Sequence, residues 1–242
     1  MKALILNSGI AHRMGGLASE HPKCMTEISP TETIISRQLH LLTEAGITDI
    51  VMTTGYFDSV LGKYCHSLHL PLHYTFVFNP LYRETNYIYS IYCARKHLLD
   101  DDILLMHGDL VFEASVLDEI FHFENSCMKV SSTLPLPVKD FKAVVKDGLV
   151  KAVGIECFDS ALEAQPLYKL NRADWRIWLD KIIEFCEGHN CKCYAENALN
   201  TITDICHIHA FDVGDRLCSE IDTPEDLAIV KSRLREVENH DD

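Results

Sequence analysis

Long apolar runs are missing from this chain. No stretch approaches the roughly 18 apolar residues that a membrane-spanning helix needs. Met1-Lys2 leads into a short strand of about seven residues rather than a longer apolar region with a cleavage site, so no secretory signal is expected. The expectation is a cytoplasmic protein with no membrane insertion. Cations are also scarce: 22 Lys and Arg face 36 Asp and Glu, a formal charge of -14. Such a balance disfavours nucleic acid and anionic lipid as partners, both of which are held largely by basic side chains. An anionic small molecule would have to be drawn by a local cluster of cations rather than by the overall field.

Familiar cysteine and glycine signatures are absent as well. The chain has 10 cysteines, and Cys186, His189, Cys191, Cys193, Cys206, His207, His209 and Cys218 crowd the C-terminal third. No CxxC pair occurs among these cysteines; Cys191-x-Cys193, on an expected strand, turns both thiols to one face, and His207-x-His209 does the same. Reduced structural cysteines are therefore expected over a zinc site, and disulfides are not expected without an export signal. The spacing of Gly9 and Gly15 does not fit a dinucleotide fingerprint, and no Gly-Lys-Ser/Thr triplet marks a Walker loop.

What remains reads as one continuous α/β unit without repeats or a long linker, and 242 residues with 47% hydrophobic content can build its core. Strand Ala3–Leu6 precedes a loop, Thr33–Ala45 is an amphipathic helix ended by Gly46, and Asp49–Thr54 is the next strand. A helix follows Gly55-Tyr56; Leu72–Phe78 and Ile103–His107 add strands around an Asn86–Leu99 helix. Met128–Leu134, Ala143–Lys146 and Leu149–Gly154 alternate as antiparallel strands do, with Asp147-Gly148 as a hairpin turn. Trp175–Glu187 and Glu225–Arg235 are the closing helices.

Three segments carry chemistry. The first runs from Leu6-Asn7-Ser8-Gly9 through Arg13 to Pro22-Lys23. Gly9 permits close backbone approach and frees successive amides for an anion, Arg13 offers a fork for phosphate oxygens, and Lys23 a compact charge. These residue types suit a loop that wraps a triphosphate, with Lys23 read as a loop cation exposed to substrate. The second is Ile103-Leu-Leu-Met-His-Gly-Asp109, a buried strand ending in a carboxylate able to hold Mg²⁺ beside substrate phosphates. The third is Ser219-Glu-Ile-Asp222-Thr-Pro-Glu-Asp-Leu227, where Asp222 ends a short strand and Thr223-Pro224 opens a helix with Thr as cap.

Together these segments resemble the nucleotidyltransferases that make NDP-sugars and CDP-alcohols. Gly9, Arg13, Pro22 and Lys23 match that signature, whereas Asn7-Ser8 stands where two alanines are usual, Ala11 where a second glycine is, and His12 where a small hydroxyl residue is. Asn79-Pro-Leu-Tyr82-Arg-Glu-Thr-Asn86-Tyr-Ile-Tyr-Ser90 resembles the branch of phosphocholine and phosphonate cytidylyltransferases. The resemblance spans nearly the whole chain. It implies a GT-A-like, Rossmann-like fold with a mixed central sheet flanked by helices, in one domain over 1–242. About 1–125 would bind nucleotide, and about 126–242 would bind the acceptor and carry the second metal ligand. It further implies Mg²⁺ on Asp109 and Asp222, catalysis by Lys23 and Arg13, and a nucleotide held by Asn7, Ser8, Gly9, Gly55, Tyr56, Asn86 and Ser90 along with those two cations.

The expected reaction moves CMP from CTP to a small phosphorylated or phosphonate head group, such as phosphocholine or 2-aminoethylphosphonate, and releases pyrophosphate. Tyr168, Lys169 and Glu196 lie where the acceptor is expected, near Trp175 and Trp178. The two tryptophans, three apart on a helix, read as core residues more readily than as an aromatic cage. A sugar-1-phosphate nucleotidyltransferase and a catalytically silent, nucleotide-binding regulatory subunit are the alternatives, and pairing of two copies is left open.

Overall fold

A computed structural model describes residues 1–9 and 21–238; Ala11, His12 and Arg13 lie outside the described residues. The first strand, β1 (Lys2–Asn7), is apolar on both faces, with Ala3, Leu4 and Ile5 fully buried. Such a strand belongs in the middle of a sheet covered on both sides. Alternation divides it: Leu4 and Leu6 join one core cluster, and Ala3 and Ile5 the other.

The chain then runs α1 (Ile34–Glu44), β2 (Asp49–Thr54), α2 (Asp58–Ser67), β3 (His73–Phe78), α3 (Tyr87–Ala94) and β4 (Ile103–His107). Thr33 caps α1 with a reciprocal Ser36 bond, and Gly46 leaves it with φ 73. After β5 (Leu110–Phe112) and α4 (Ala114–His122) come β6 (Cys127–Ser131), β7 (Lys142–Lys146), β8 (Leu149–Gly154) and β9 (Ala161–Leu170). The last elements are α5 (Arg172–Glu187), α6 (Ala195–Leu199), β10 (His209–Asp212), β11 (Cys218–Glu220) and α7 (Pro224–Glu238).

Among the described residues, nine strands form one sheet in the order β3-β2-β1-β4-β9-β6-β10-β8-β7. The pairs among β3, β2, β1 and β4 are parallel; β9 runs antiparallel to both β4 and β6. This is the expected parallel block followed by a mixed region, and Asp147-Gly148 makes the β7–β8 turn with both residues at positive φ. No helix among the described residues is long and apolar enough to cross a membrane.

The largest departure from expectation is β9. Its sequence, Ala161-Leu-Glu-Ala-Gln-Pro166-Leu-Tyr-Lys-Leu170, shows neither clean alternation nor freedom from proline, yet it lies centrally in the sheet. Pro166 is accommodated where the β6 register shifts between Met128 and Val130, so a bulge absorbs the missing donor. Cys191 and Cys193 lie on no strand; they sit in the irregular link between α5 and α6. All 10 cysteines are free thiols.

Buried charge also occurs where alternation alone would place apolar residues. Lys129 on β6 is wholly buried and pairs with Glu163 on β9, which also accepts a bond from Gln165 Nε2 at 2.9 Å. Removing one partner strands the other charge, so Glu163→Leu is expected to lose about 3 kcal/mol in urea denaturation. Lys129→Met on that background should recover most of the loss; no recovery would show that the pair is not the cause.

Candidate active site

Two carboxylates 113 residues apart in sequence meet through a small antiparallel pairing. β5 begins directly after Asp109, β11 ends two residues before Asp222, and Glu220 lies opposite Leu110 in their register. The Ile221 N–H donates to the Asp109 carbonyl at 3.0 Å, which fixes Asp222 beside Asp109. Thr223 then caps α7: its Oγ1 accepts from the Asp226 N–H at 3.2 Å, while Asp226 Oδ2 accepts from the Thr223 N–H at 2.8 Å. The strand-end carboxylate and the helix start read from the sequence are both formed.

Lys23 bridges them. Its Nζ lies 2.6 Å from Asp109 Oδ2 and also pairs with Asp222 Oδ1. Only 15% of the Lys23 side chain is exposed, so it is not the solvent-facing loop cation expected from the sequence. Pro22, in extended conformation, enters a single 3-10 turn over Lys23–Met25 whose Cys24 is buried in the core and anchors the lysine. Burial works against the Lys23 ammonium, yet the charges and hydrogen bonds of Asp109 and Asp222 outweigh it and hold its pKa above the ordinary value. Burial likewise opposes the Asp109 carboxylate, but Lys23 and His107 keep its pKa below the usual range.

His107 and Glu220 complete the cluster, and sequence reading had assigned neither a role. Each sits two residues before a candidate metal ligand, in His107-x-Asp109 and Glu220-x-Asp222, a spacing that turns side chains at a strand end the same way. His107 Nδ1 is 2.7 Å from Glu220 Oε1. Burial, then the Asp109 charge, pushes Glu220 up to about 7, with His107 pulling the other way. Burial lowers the His107 pKa, but its bond to Glu220 and that carboxylate's charge leave it raised.

One ligand atom each from His107, Asp109 and Glu220 lies within 4.8 Å of the others. Oxygen-rich donors of this kind fit a hard divalent cation, and the present occupation of Asp109 and Asp222 by an ammonium marks the place as one that needs positive charge.

The cluster forms the floor of a cavity of about 470 Å³ at the C-terminal ends of β1 and β4, where ligands of open α/β sheets gather. Asn7, Ser8 and Gly9 line it at the end of β1, and Asn79, Asn86 and Ser90 line another side. Asn86 caps α3, its Oδ1 accepting from the Tyr87 N–H at 2.7 Å. The Ser90 hydroxyl accepts from Asn79 Nδ2 at 3.0 Å. Gly55 is not part of the wall: a Cβ there would come 2.5 Å from the Ser8 carbonyl oxygen, so it supports the loop from behind. Tyr56 is 64% exposed, with the Arg83 guanidinium over its ring.

The acceptor residues expected on the sequence are not on this cavity. In the β4–β9 register Lys169 lies opposite Leu104, while the cavity is at the His107 end, and its Nζ donates to the Phe123 carbonyl. Tyr168 and Glu196 are buried behind the wall, joined by a 2.9 Å bond; Tyr87, which does line the cavity, donates to the other Glu196 oxygen. Trp175 and Trp178 are core residues, each donating its indole N–H to a backbone carbonyl.

In their place, Lys139, Asp140 and Phe141 reach the cavity with Ile155 and Tyr194. The buried Lys142 holds that segment by donating to the carbonyls of Pro137 at 2.6 Å and Asp140 at 2.9 Å. Nothing local in the sequence marks Lys139 to Phe141, because a segment before a strand acquires meaning only once β7 is folded over β9.

The profile of the MobA-like NTP transferase domain matches residues 3–129, more than half of the chain. The chain belongs to this family. Among curated relatives of this NTP transferase, a CTP:phosphoglutamine cytidylyltransferase of Campylobacter jejuni is 30% identical over 117 residues, 46% of the chain and 45% of the relative. A CMP-5'-(3-aminopropyl)phosphonate synthase of Streptomyces rubellomurinus is 28% identical over 120 residues, 50% of the chain but 19% of the relative. The matches thus take in less than half of each relative's length. The solved CTP:phosphocholine cytidylyltransferase of Streptococcus pneumoniae superposes with a TM-score of 0.75 over 96% of the chain and 98% of that structure, at 17% identity. The NTP transferase therefore has the GT-A-like, Rossmann-type fold.

Proposed function

We propose that the chain is a Mg²⁺-dependent cytidylyltransferase that joins CMP from CTP to a small phosphorylated or phosphonate acceptor bearing a nitrogen group. The observation that carries this reading is Lys23 set across Asp109 and Asp222 on the floor of a cavity edged by the Asn7-Ser8-Gly9 turn. An oxygen of the acceptor phosphate or phosphonate attacks the α-phosphorus of CTP. One P–O bond forms as the bond to the β-phosphate oxygen breaks, and pyrophosphate leaves with that electron pair. The attacking oxygen is ionised at neutral pH, so no general base is needed, and catalysis rests on alignment and charge. Mg²⁺ held by Asp109 and Asp222, with His107 and Glu220 beside them, would neutralise phosphate charge. Lys23 would turn from the carboxylates to the phosphates, and Arg13, outside the described residues, is assigned the same anion.

The acceptor reading moves from Lys169, Tyr168 and Glu196 to the segment that faces the cavity. Lys139 suits the acceptor phosphate. Tyr194 stands 5.8 Å from the Tyr87 ring and 5.1 Å from Phe141, an aromatic corner beside Asp140. Aromatic faces and a carboxylate suit an amine or ammonium. Relatives named for phosphoglutamine and aminopropylphosphonate support the same acceptor class.

Pyrophosphate release with each of four nucleoside triphosphates and a panel of head groups tests the proposal. CTP is expected to exceed UTP by at least about a hundredfold in kcat/KM, since a site that pairs the exocyclic amine leaves its own polar groups unpaired with uracil. Preference for UTP or dTTP with a sugar 1-phosphate would install the sugar-nucleotide reading instead, and nucleotide binding without pyrophosphate release would make the chain a silent subunit.

A further inference from the structure

Two polar side chains at the end of β1 have buried atoms without partners among the described residues: neither Asn7 Nδ2 nor Ser8 Oγ makes a hydrogen bond there. Ser8 is 6% exposed, and both residues line the cavity. A buried donor left unpaired is costly in the free protein, and at a cavity wall a bound group can take up the bond.

The carboxamide of Asn7 is placed, not loose. Asn7 lies on the same face of β1 as Ala3 and Ile5, the face that packs the Lys23–Met25 turn through Cys24. Its side chain lies over Gly108, between His107 and Asp109. A Cβ at residue 108 would meet Asn7 Oδ1 at 1.6 Å, Cγ at 2.4 Å and Nδ2 at 2.8 Å, so the carboxamide fills the space that any side chain there would need. Gly108 has no positive φ to explain it, and its N–H makes an ordinary 3.0 Å bond to the Leu6 carbonyl. The bare glycine leaves room for the Asn7 carboxamide, which a Cβ there would displace.

We propose that Asn7 is a catalytic residue whose Nδ2–H donates to a non-bridging oxygen of the phosphate under attack, and that the bare Gly108 positions it. The inference rests on the nucleotidyl-transfer reading above. Gly108 adjoins Asp109, so the carboxamide lies beside the carboxylates assigned to the metal, where the reacting phosphate would sit, and its bond would strengthen as charge gathers on the phosphoryl oxygens.

The test is a cycle of Asn7→Ala, Gly108→Ala and the double variant, read by steady-state kinetics with CTP and Mg²⁺ and by thermal melting. Asn7→Ala is expected to lower kcat between about tenfold and a hundredfold, as for a hydrogen bond to a charged group, with KM for CTP within about threefold of wild type. Its melting temperature should equal or exceed that of wild type, since an unpaired buried donor has gone. Gly108→Ala, which must displace the carboxamide, should lose kcat and melting temperature together. The double variant has room for the new Cβ, so it should be no slower than Asn7→Ala and should melt above Gly108→Ala.

Wild-type kcat in Asn7→Ala, or a fall matched by a lower melting temperature, would make Asn7 structural and overturn the proposal. A double variant that loses the product of the two single effects would place the Gly108 effect at Asp109 and overturn the positioning. A wild-type protein that releases pyrophosphate from no nucleotide would fail the nucleotidyl-transfer reading itself, whereas an active wild type with an equally active Asn7→Ala fails this inference alone.

Discussion

Asp109→Asn is expected to lower cytidylyl transfer by at least about a hundredfold, the scale set by losing one charged contact to a phosphoryl group in a preorganised site. The fold should survive the change. Asp109 is held by the Ile221 N–H bond to its backbone, which the substitution leaves intact, and Lys23 keeps its pair with Asp222. Losing one carboxylate also relieves part of the cost of its burial, so melting without metal should move little. What should disappear is the stabilisation by Mg²⁺, which scales with metal bound to the native state. Circular dichroism, melting with and without Mg²⁺, and pyrophosphate release separate these effects. Near-wild-type turnover would remove Asp109 from the reaction.

Lys23→Ala should be as damaging to turnover and, unlike Asp109→Asn, should weaken the metal-free protein. On the sequence Lys23 was a loop cation with little to hold; in the fold it separates two carboxylates with 22% and 21% side-chain exposure. Without it Asp109 and Asp222 face each other with no ammonium between them, beside Glu220. A loss of about 2 kcal/mol is expected in urea at neutral pH, below the full cost of breaking a buried pair because solvent reaches these groups. Mg²⁺ should restore that stability and raise the melting temperature more than it does in wild type, since it no longer displaces a lysine. It should not restore turnover, because the phosphates still lack the cation. Stability unaffected by the substitution would refute the bridge, and turnover rescued by Mg²⁺ alone would assign Lys23 to the metal-free fold only.

Signals carried by local pattern were legible in the sequence. The buried strand Ile103–His107 ending before Asp109, the Thr223-Pro224 helix start and the Asp147-Gly148 turn each follow from a few adjacent residues, and each formed as read. The parallel block was legible for the same reason, because β1, β2 and β4 each have an apolar centre, Ala3 to Leu6, Ile50 to Met52 and Ile103 to Met106, followed by polar residues and a glycine. What could not be read was set by distant partners. β9 holds Glu163, Gln165 and Pro166, which alternation rejects, and only its place between β4 and β6, with Lys129 opposite Glu163, makes it a strand. That hidden strand carried the acceptor assignment with it: Tyr168 and Lys169 belong to the sheet, and Lys139 to Phe141 were given the cavity. His107 and Glu220 had a usable signal in their spacing to Asp109 and Asp222, but a role only once β5 paired with β11. Gly108 is the reverse case, a residue whose reason is a side chain 101 positions away in sequence.

The central claim is chemical, and ³¹P NMR of the reaction tests it most directly. The protein would be incubated with CTP, Mg²⁺ and, in turn, phosphocholine, 2-aminoethylphosphonate and phosphoglutamine. The account predicts that the three CTP resonances give way to a pyrophosphate signal and to a pair of coupled resonances from the new anhydride joining CMP to the acceptor, and that Asp109→Asn yields neither. Unchanged CTP with every acceptor, beside conversion of UTP or dTTP with a sugar 1-phosphate, would contradict it.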